Sequence, residues 1–521
     1  MKWKDLRKEG KDMSKARLFA KHFSYNTLAT LLSMAIQIFV ILVVAKFVGP
    51  RPFGYWQLYV FYATYCGILH AGWCDGLYLI FAGYRREDLP WTWLKKNSLH
   101  YFTVELLLSL AIAIWALLTK EGPVLLVALA LALTVLVTNV RNYLFSLMQA
   151  TNHLVVFAKT NILDRLIYLL VMIFCLLSGV RSLGLLLGAD LLSRIISLGY
   201  AYRQFYRPGL AGLRRKQKPV EIKEGLASLQ GESVKSNEKA ETESLSQLDL
   251  SPRTVFHAGA ALLLANLAGG LYIGVVRYFI QRNYSIESFG RLSLMISMAN
   301  LVIFFVNGVS VIVFPFLKTV KAERLRANYQ SLKRLFVFAT AFLLLGYFPI
   351  RLVISYWLPH YGEVMQLFAF VYPLFVFEGQ LALLTNSYLK AYREEVAMLK
   401  WNGMLLILTI LWTYCSLQLG RNLWMTFAGL LMVYMIRLLG SEWLLNRQLK
   451  LTLWPDNLRQ LTILLVYLIL ANSLSVGLGF ILYSLGLVGL AVLIRGEIKQ
   501  NIREISFEEK SEEERSKHGD I

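Results

Sequence analysis

Apolar runs of about 18 residues or more recur along almost the whole chain, and most of the charge is clustered between them. A segment like this can cross a hydrocarbon core only as an α-helix, which satisfies its own backbone hydrogen bonds. A closed β-barrel is excluded, because its strands would alternate apolar and polar residues. Composition agrees: the chain is 56% hydrophobic and 17% charged, with a mean hydropathy of +0.51, where a soluble protein carries about 25% charged residues. The reading is an all-α polytopic membrane protein with about fourteen transmembrane helices. Two six-helix lobes occupy 24–206 and 254–446. Two further helices lie in 458–494, a run too long for one span that folds back near 472–479. A basic tail, 1–23, precedes the first span, and a charged tail, 495–521, follows the last.

The formal net charge of +21 raises nucleic acid as a partner, but the cations cluster in short connections. Alternate loops assigned to opposite sides leave roughly forty Lys and Arg on one side and about five on the other. The rich side is therefore cytoplasmic. The chain reads as multi-pass in the inner (plasma) membrane with both termini inside, and no nucleic acid is implied. The insert 207–253 contains "RRKQKPVEIKEGLASLQGESVKSNEKAETESLSQ". It has too few large apolar residues to bury a core, so disorder is expected. No cleavable signal is read, because the first apolar run is long and follows a basic stretch. Cys66, Cys74, Cys175 and Cys415 all fall in apolar runs without ligand spacing, so they read as small core residues.

The halves echo each other. "MQATNHLVVFAKTN" at 148–161 aligns with "LKAYREEVAMLKWN" at 389–402, so Ala150, Lys159 and Asn161 match Ala391, Lys400 and Asn402. "KFVGPRPFG" at 46–54 resembles "RYFIQRNYSIESFG" at 277–290: a cation ends one helix, then a turn, then Phe-Gly opens the next. Parallel repeats predict two lobes with a cavity between them.

"VVAKFVGPRPFGYWQLYVF" resembles the first loop of bacterial polysaccharide flippases, the lipid-linked oligosaccharide exporters of the multidrug/oligosaccharidyl-lipid/polysaccharide (MOP) superfamily. "YIGVVRYFIQRNYSIESFGRLSLMISMANLVIFFVNGVSVIVFPFL" resembles their seventh and eighth spans, and the likeness covers roughly 23–449. It implies alternating access by two six-helix bundles. The cargo would be undecaprenyl-diphosphate-linked oligosaccharide moved to the outer leaflet for surface polysaccharide such as O-antigen or lipopolysaccharide. Two extra C-terminal spans would offer a groove for the lipid tail. Partners implied are the lipid-linked oligosaccharide, membrane lipids, and the glycosyltransferases and polymerase of the same pathway. No cofactor is implied. Many relatives carry an acidic-basic pair in the seventh span; "AGGLYIGVVRY" has only Arg277, so coupling to a proton or a sodium gradient stays open.

A lipid diphosphate must cross about 30 Å of hydrocarbon, and cations facing a wet cavity would escort it. Sugars need amides, hydroxyls and rings. Lys46, Arg277 and Arg291 lie toward the outer side; Gln37, His70, Asn266, Asn300 and Asn307 lie near mid-depth; Asp75 and Arg141 lie deeper. Lys46 and Arg277 end helices, so snorkelling to headgroups explains them equally well. Arg141 sits well inside its span and faces either the cavity or Asp164 or Asp190. Asp75, in "HAGWCDGLYL", has flanking glycines that predict a broken helix of the kind transporters use at sites; the alternative is that it faces cytoplasmic water. His70 either titrates and couples transport to protons or is a hydrogen-bonded core histidine. Asp164 with Arg165, Asp190 with Arg194, and Arg437 with Glu442 read as structural pairs. Tyr55, Trp56, Trp91 and Trp93 read as interfacial anchors, and Pro315 and Pro373 as kinks.

The rival in the same superfamily is a multidrug or small-metabolite antiporter, with a less cationic cavity. A major-facilitator transporter would carry a glycine-and-basic motif after its second span, which "YRREDLPWTWLKK" lacks. A polysaccharide polymerase or a lipid-sugar glycosyltransferase would need sizeable outer loops. No GxxxxGK phosphate loop occurs. The reading is therefore of a transporter and not an enzyme.

Overall fold

A computed structural model describes residues 32–179, 181–216, 250–303, 322–392, 394–492 and 496, and every regular element among them is helical. Nine helices among the described residues are long and apolar enough to cross a membrane. Further helices, one of them interrupted, fall in the other predicted spans, which is the make-up of a multi-pass membrane protein. The chain divides into two compact units. The first is Met1–Val48 with Tyr55–Leu267; the second is Gly49–Gly54 with Ala268–Ile521. The division therefore falls inside a helix, whereas the sequence places the joint at 207–253. Residues 217–249 of that insert and both expected tails, apart from residue 496, lie outside the described residues.

The first unit begins with α1, Leu32–Phe47. Next, α2, Pro50–Tyr65, runs into a tighter turn at Cys66–His70, and α3, Trp73–Ile80, resumes the path. This is the break expected beside Asp75. Ala71 (φ +51°) and Gly72 (φ +85°) are left-handed there, a conformation that glycine adopts without strain. The glycines have a second purpose. A Cβ on Gly259 would lie 1.8 Å from the Gly72 oxygen, and one on Gly76 would lie 2.1 Å from the Val255 oxygen. They let α3 meet the start of α9, Pro252–Asn283, backbone to backbone. Small residues serve this way in membranes, where burying apolar surface against protein gains little over lipid.

Between them come α4, Trp91–Thr119; α5, Gly122–Ala150; α6, Leu154–Leu177; and α7, Leu183–Ala201. A wide π-turn, Tyr202–Tyr206, joins α7 to α8, Arg207–Lys216. Pro208 explains it: the ring removes the N–H that the residue 204 carbonyl would accept, so the helix loosens by one residue. At this end Trp91, Tyr101, Tyr143 and Phe205 form an aromatic core. Trp91 is buried there and donates to the Arg86 carbonyl at 2.8 Å, and Trp56 is buried as well. Both correct the reading as interfacial anchors.

In the second unit α10, Ile286–Ala299, starts at Ser285, whose hydroxyl accepts the Ser288 N–H. Here the two echoing Phe-Gly motifs meet: a Cβ on Gly290 would lie 2.7 Å from the Gly54 Cα. Then follow α11, Ala322–Leu345; α12, Tyr347–Trp357; and α13, Phe368–Gln380, which contains Pro373 and opens into a π-turn at Leu381–Thr385. Pro315 lies outside the described residues. Next are α14, Asn386–Ala391; α15, Glu395–Tyr414, which runs into a π-turn at Cys415–Leu419; and α16, Leu423–Leu449, capped by Asn422. The unit closes with α17, Trp454–Ser473, and α18, Val476–Val492. Leu474 is extended between them, inside the predicted fold-back. Rings of Tyr347, Phe348, Phe368, Tyr467 and Tyr483 tie α12 and α13 to this hairpin. Trp401 and Trp412 of α15 press into Gly440 and Gly429 of α16, where a Cβ would come within 2.0 and 1.8 Å of ring atoms. Cys66, Cys74 and Cys175 are buried as expected, but Cys415, at the start of its π-turn, is exposed.

Candidate functional site

The first unit holds a cavity of about 230 Å³ between α1, α2, α6 and α7. Its polar lining is Gln37, Tyr59, Thr64, Arg165, Asp190 and Arg194. Asp190 is the hub. Arg194, one helical turn on, grips it with Nε at 2.7 Å and Nη2 at 3.2 Å. Tyr59 donates its hydroxyl at 2.5 Å and lies 2.7 Å from Thr134 Oγ1. Arg194 also donates to Thr138 at 3.1 Å, which anchors the fork to α5. The Asp190 charge is thus matched by Arg194 within the protein. Arg165, half-buried on the same wall, has no ion pair among the described residues. Among the described residues the cavity therefore presents two cations, Arg165 and Arg194, to one acid, Asp190, beside hydroxyls and an amide. It can hold an anionic group that brings apolar surface against Ile36, Val40 and Trp56.

Sequence reasoning paired Asp164 with Arg165, and the structure separates them. Neighbouring residues point about 100° apart on a helix and cannot face each other. Asp164 turns instead to Arg141, at 3.0 Å, with both side chains buried. Arg141 also donates to Ser197 and lies over the Phe145 ring. This corrects the cavity-facing alternative for Arg141: it bolts α5 to α6 and α7. The expected pair of Asp190 with Arg194 is present. The expected pair of Arg437 with Glu442 is not, because residues five apart lie roughly 140° apart around the helix. Arg437 reaches Glu378 of α13 and Asn402 of α15, under the rings of Tyr272 and Tyr434. Glu442 meets Lys333 of α11, which also donates to Gln460 of α17 at 3.0 Å. Lys333 stands at the polar edge of an apolar run in the sequence, but α11 starts at Ala322 and carries it fully inside. Arg194 and Arg437 stand at nearly the offset that relates Ala150 to Ala391. Each unit thus buries an arginine of its last repeat helix against an acid, but the cavity described here belongs to the first.

The other candidates are dispersed. Of those among the described residues, Gln37 alone lines this cavity. His70 is half-buried, and its Nδ1 accepts the Gly72 N–H at 3.1 Å, so it closes the break after α2. Asp75 is half-buried in the first turn of α3. Lys46 is exposed at the end of α1. In the second unit Arg277 lies over the Phe289 ring at 5.7 Å. Arg291 sits near Tyr361, where burial pushes the phenol up to about 12 against the opposing pull of the arginine. Arg51 and Glu287 approach to 3.7 Å at the same end. Asn300 ends α10. Asn266 falls within α9, and Asn307 lies outside the described residues. Tyr59, Thr64 and Arg165 were missed as lining residues. For Arg165 the signal was available, since its adjacency to Asp164 forbids the pairing that concealed it.

Among the described residues no group of His, Cys, Asp or Glu is arranged to hold a metal ion. No protein-family model and no curated protein matches the sequence. The fold is similar to solved structures of multidrug resistance MATE family transporters of the MOP superfamily. An outward-facing one aligns with a TM-score of 0.50 at 13% identity, covering 82% of this chain and 96% of that one. An inward-facing one gives 0.51 at 12%, covering 81% and 95%. A MATE in complex with MaL6 gives 0.50 at 14%, covering 82% and 96%. At such identities the likeness establishes the fold.

Proposed function

We propose that the chain is a small-molecule or metabolite exporter that works by alternating access, with an anionic amphipath as its cargo. The shared fold with multidrug transporters supports the transport class. The observation that carries the cargo chemistry is Arg165: it lines the cavity without an acid of its own, while Asp190 is already matched by Arg194. Burying a cation without an acid costs free energy, and a bound carboxylate, sulfonate or phosphate offsets that cost. The apolar wall takes the rest of the cargo. The asymmetry of Lys and Arg between loops supports an inner-membrane placement with both termini cytoplasmic. The test uses purified protein in liposomes with an anionic dye, carboxyfluorescein, and a cationic one, ethidium, under an imposed proton or sodium gradient. The reading expects saturable movement of the anionic dye, and the gradient that drives it identifies the coupling ion. Movement of ethidium alone would overturn it.

A lipid-linked oligosaccharide is the second reading. An apolar groove of about 220 Å³ favours it; the groove is lined by Ala341 of α11, Ile463 and Val466 of α17, and Tyr483 and Leu487 of α18. A lipid tail fits that chemistry. Depleting the protein in cells should then strand undecaprenyl-diphosphate-linked sugar on the cytoplasmic leaflet. Unchanged surface polysaccharide would exclude this reading and leave the first intact.

A further inference from the structure

A second, larger hollow lies in the first unit, away from Asp190. It measures about 590 Å³ and runs between α4, α5 and α7 down to α8. That volume lies inside the roughly 300–1,000 Å³ of ordinary ligand sites. Its walls are Leu99 and Phe102 of α4, Leu144 of α5, Leu198 of α7, and Tyr202 and Tyr206 of the π-turn. The hollow opens sideways. Leu99 and Ile195 on its lips are 67% and 51% exposed, and α4 is the least buried of the candidate spans. In a bilayer those lips meet lipid.

One end of the hollow is apolar and the other is cationic. Lys95 is the single charged residue of the lining; it is exposed and has no acid partner among the described residues. Arg203 and Arg207 are exposed on the segment that closes the same end. Hydroxyls sit beside Lys95: Ser98 and Tyr206 are 2.5 Å apart, and Tyr206 reaches the Leu94 carbonyl at 3.2 Å. Two sequence features build the shape. Pro208 forces the π-turn that sets Tyr202 and Tyr206 along one wall. Gly209 lets α8 tuck against Trp91, where a Cβ would lie 2.0 Å from the ring. That contact floors the groove with Leu210.

We propose that this groove is a binding site for an anionic phospholipid of the leaflet that faces the basic loops. One acyl chain lies between α4 and α7, and the phosphate rests on the Lys95 ammonium within reach of the Ser98 and Tyr206 hydroxyls. Charge complementarity selects the occupant: the rim is basic, the lining contains no acid among the described residues, and membrane leaflets supply anionic headgroups beside apolar tails. Gly199 offers a clean test. It lines the groove, and a Cβ there would meet nothing within 4 Å, so Gly199→Leu fills the space without disturbing the fold.

Native mass spectrometry of the purified full chain, titrated with phosphatidylglycerol or phosphatidylcholine, reads the site. Wild type should retain phosphatidylglycerol about fivefold more tightly, which is the contribution of one cation at an anionic headgroup. Lys95→Gln should reduce retention to the phosphatidylcholine level, and Gly199→Leu should abolish both. Equal retention of the two lipids by wild type, or undiminished phosphatidylglycerol binding in Gly199→Leu, overturns the proposal. So does a dimer that forms without lipid and is lost in Gly199→Leu, because a second copy would then fill the groove.

Discussion

Lys333 and Glu442 form the most deeply buried ion pair among the described residues, with side chains 0% and 1% exposed. Removing one partner leaves the other charged in a medium that cannot solvate it, at a cost of about 3–5 kcal/mol. Lys333→Met isolates the Glu442 carboxylate and also removes the donor to Gln460. Glu442→Leu isolates the ammonium, whose remaining partner is a neutral amide. Each single variant should lose several kcal/mol. The double variant Lys333→Met with Glu442→Leu replaces the pair by apolar groups of similar volume and should lie within about 1–2 kcal/mol of wild type or above it. The assay is thermal unfolding of the detergent-solubilised protein, followed by monomeric size-exclusion peak height in a full double-mutant cycle. Because Gln460 belongs to α17, Gln460→Leu should also lower the melting point, by less than either charge variant. Single variants that melt like wild type would refute the reasoning. So would a double variant that loses the sum of the two single losses.

Three further expectations rest on local geometry. Gly440→Ala drives a Cβ into Trp401 at 2.0 Å and should cost about 1–3 kcal/mol as overpacking, with Trp401→Leu restoring stability in the same melt. Gly290→Ala would press on the Gly54 backbone; it should lower the melting point, while alanine at open Gly188 should not. Burial pushes the His153 imidazole, in the loop before α6, below its ordinary value. The unfolded chain therefore binds the proton first, so stability is complete above about pH 6.5 and declines as pH falls through the folded value. His153→Gln should flatten that part of the melting-point profile between pH 7.5 and 5.5.

What the sequence discloses here is what one helix decides alone. The length of apolar runs places the spans, the turn at Leu474 falls within the expected fold-back, and the glycines around Asp75 announce a real break. Asp190 and Arg194 share a face because four residues make about one turn. Partners chosen across helices are less legible. Asp164 stood among the alternatives for Arg141 and is its partner, but Arg437 with Glu378 and Lys333 with Glu442 depend on which helices pack together, and the local alternatives fail on angle. Polar edges mislead for the same reason: Lys333 ends an apolar run in sequence, but its helix begins three turns earlier. Tryptophans near span ends read as anchors because composition cannot reveal that Gly209 opens a slot for Trp91.

Arg165 lends its charge to the cavity of the first unit. The direct measurement is dye selectivity in liposomes containing Arg165→Glu. The account predicts that carboxyfluorescein movement is lost and that ethidium movement takes its place, while Arg165→Lys keeps the wild-type preference. If selectivity is the same in wild type and Arg165→Glu, the cavity does not choose the cargo, and the account is contradicted.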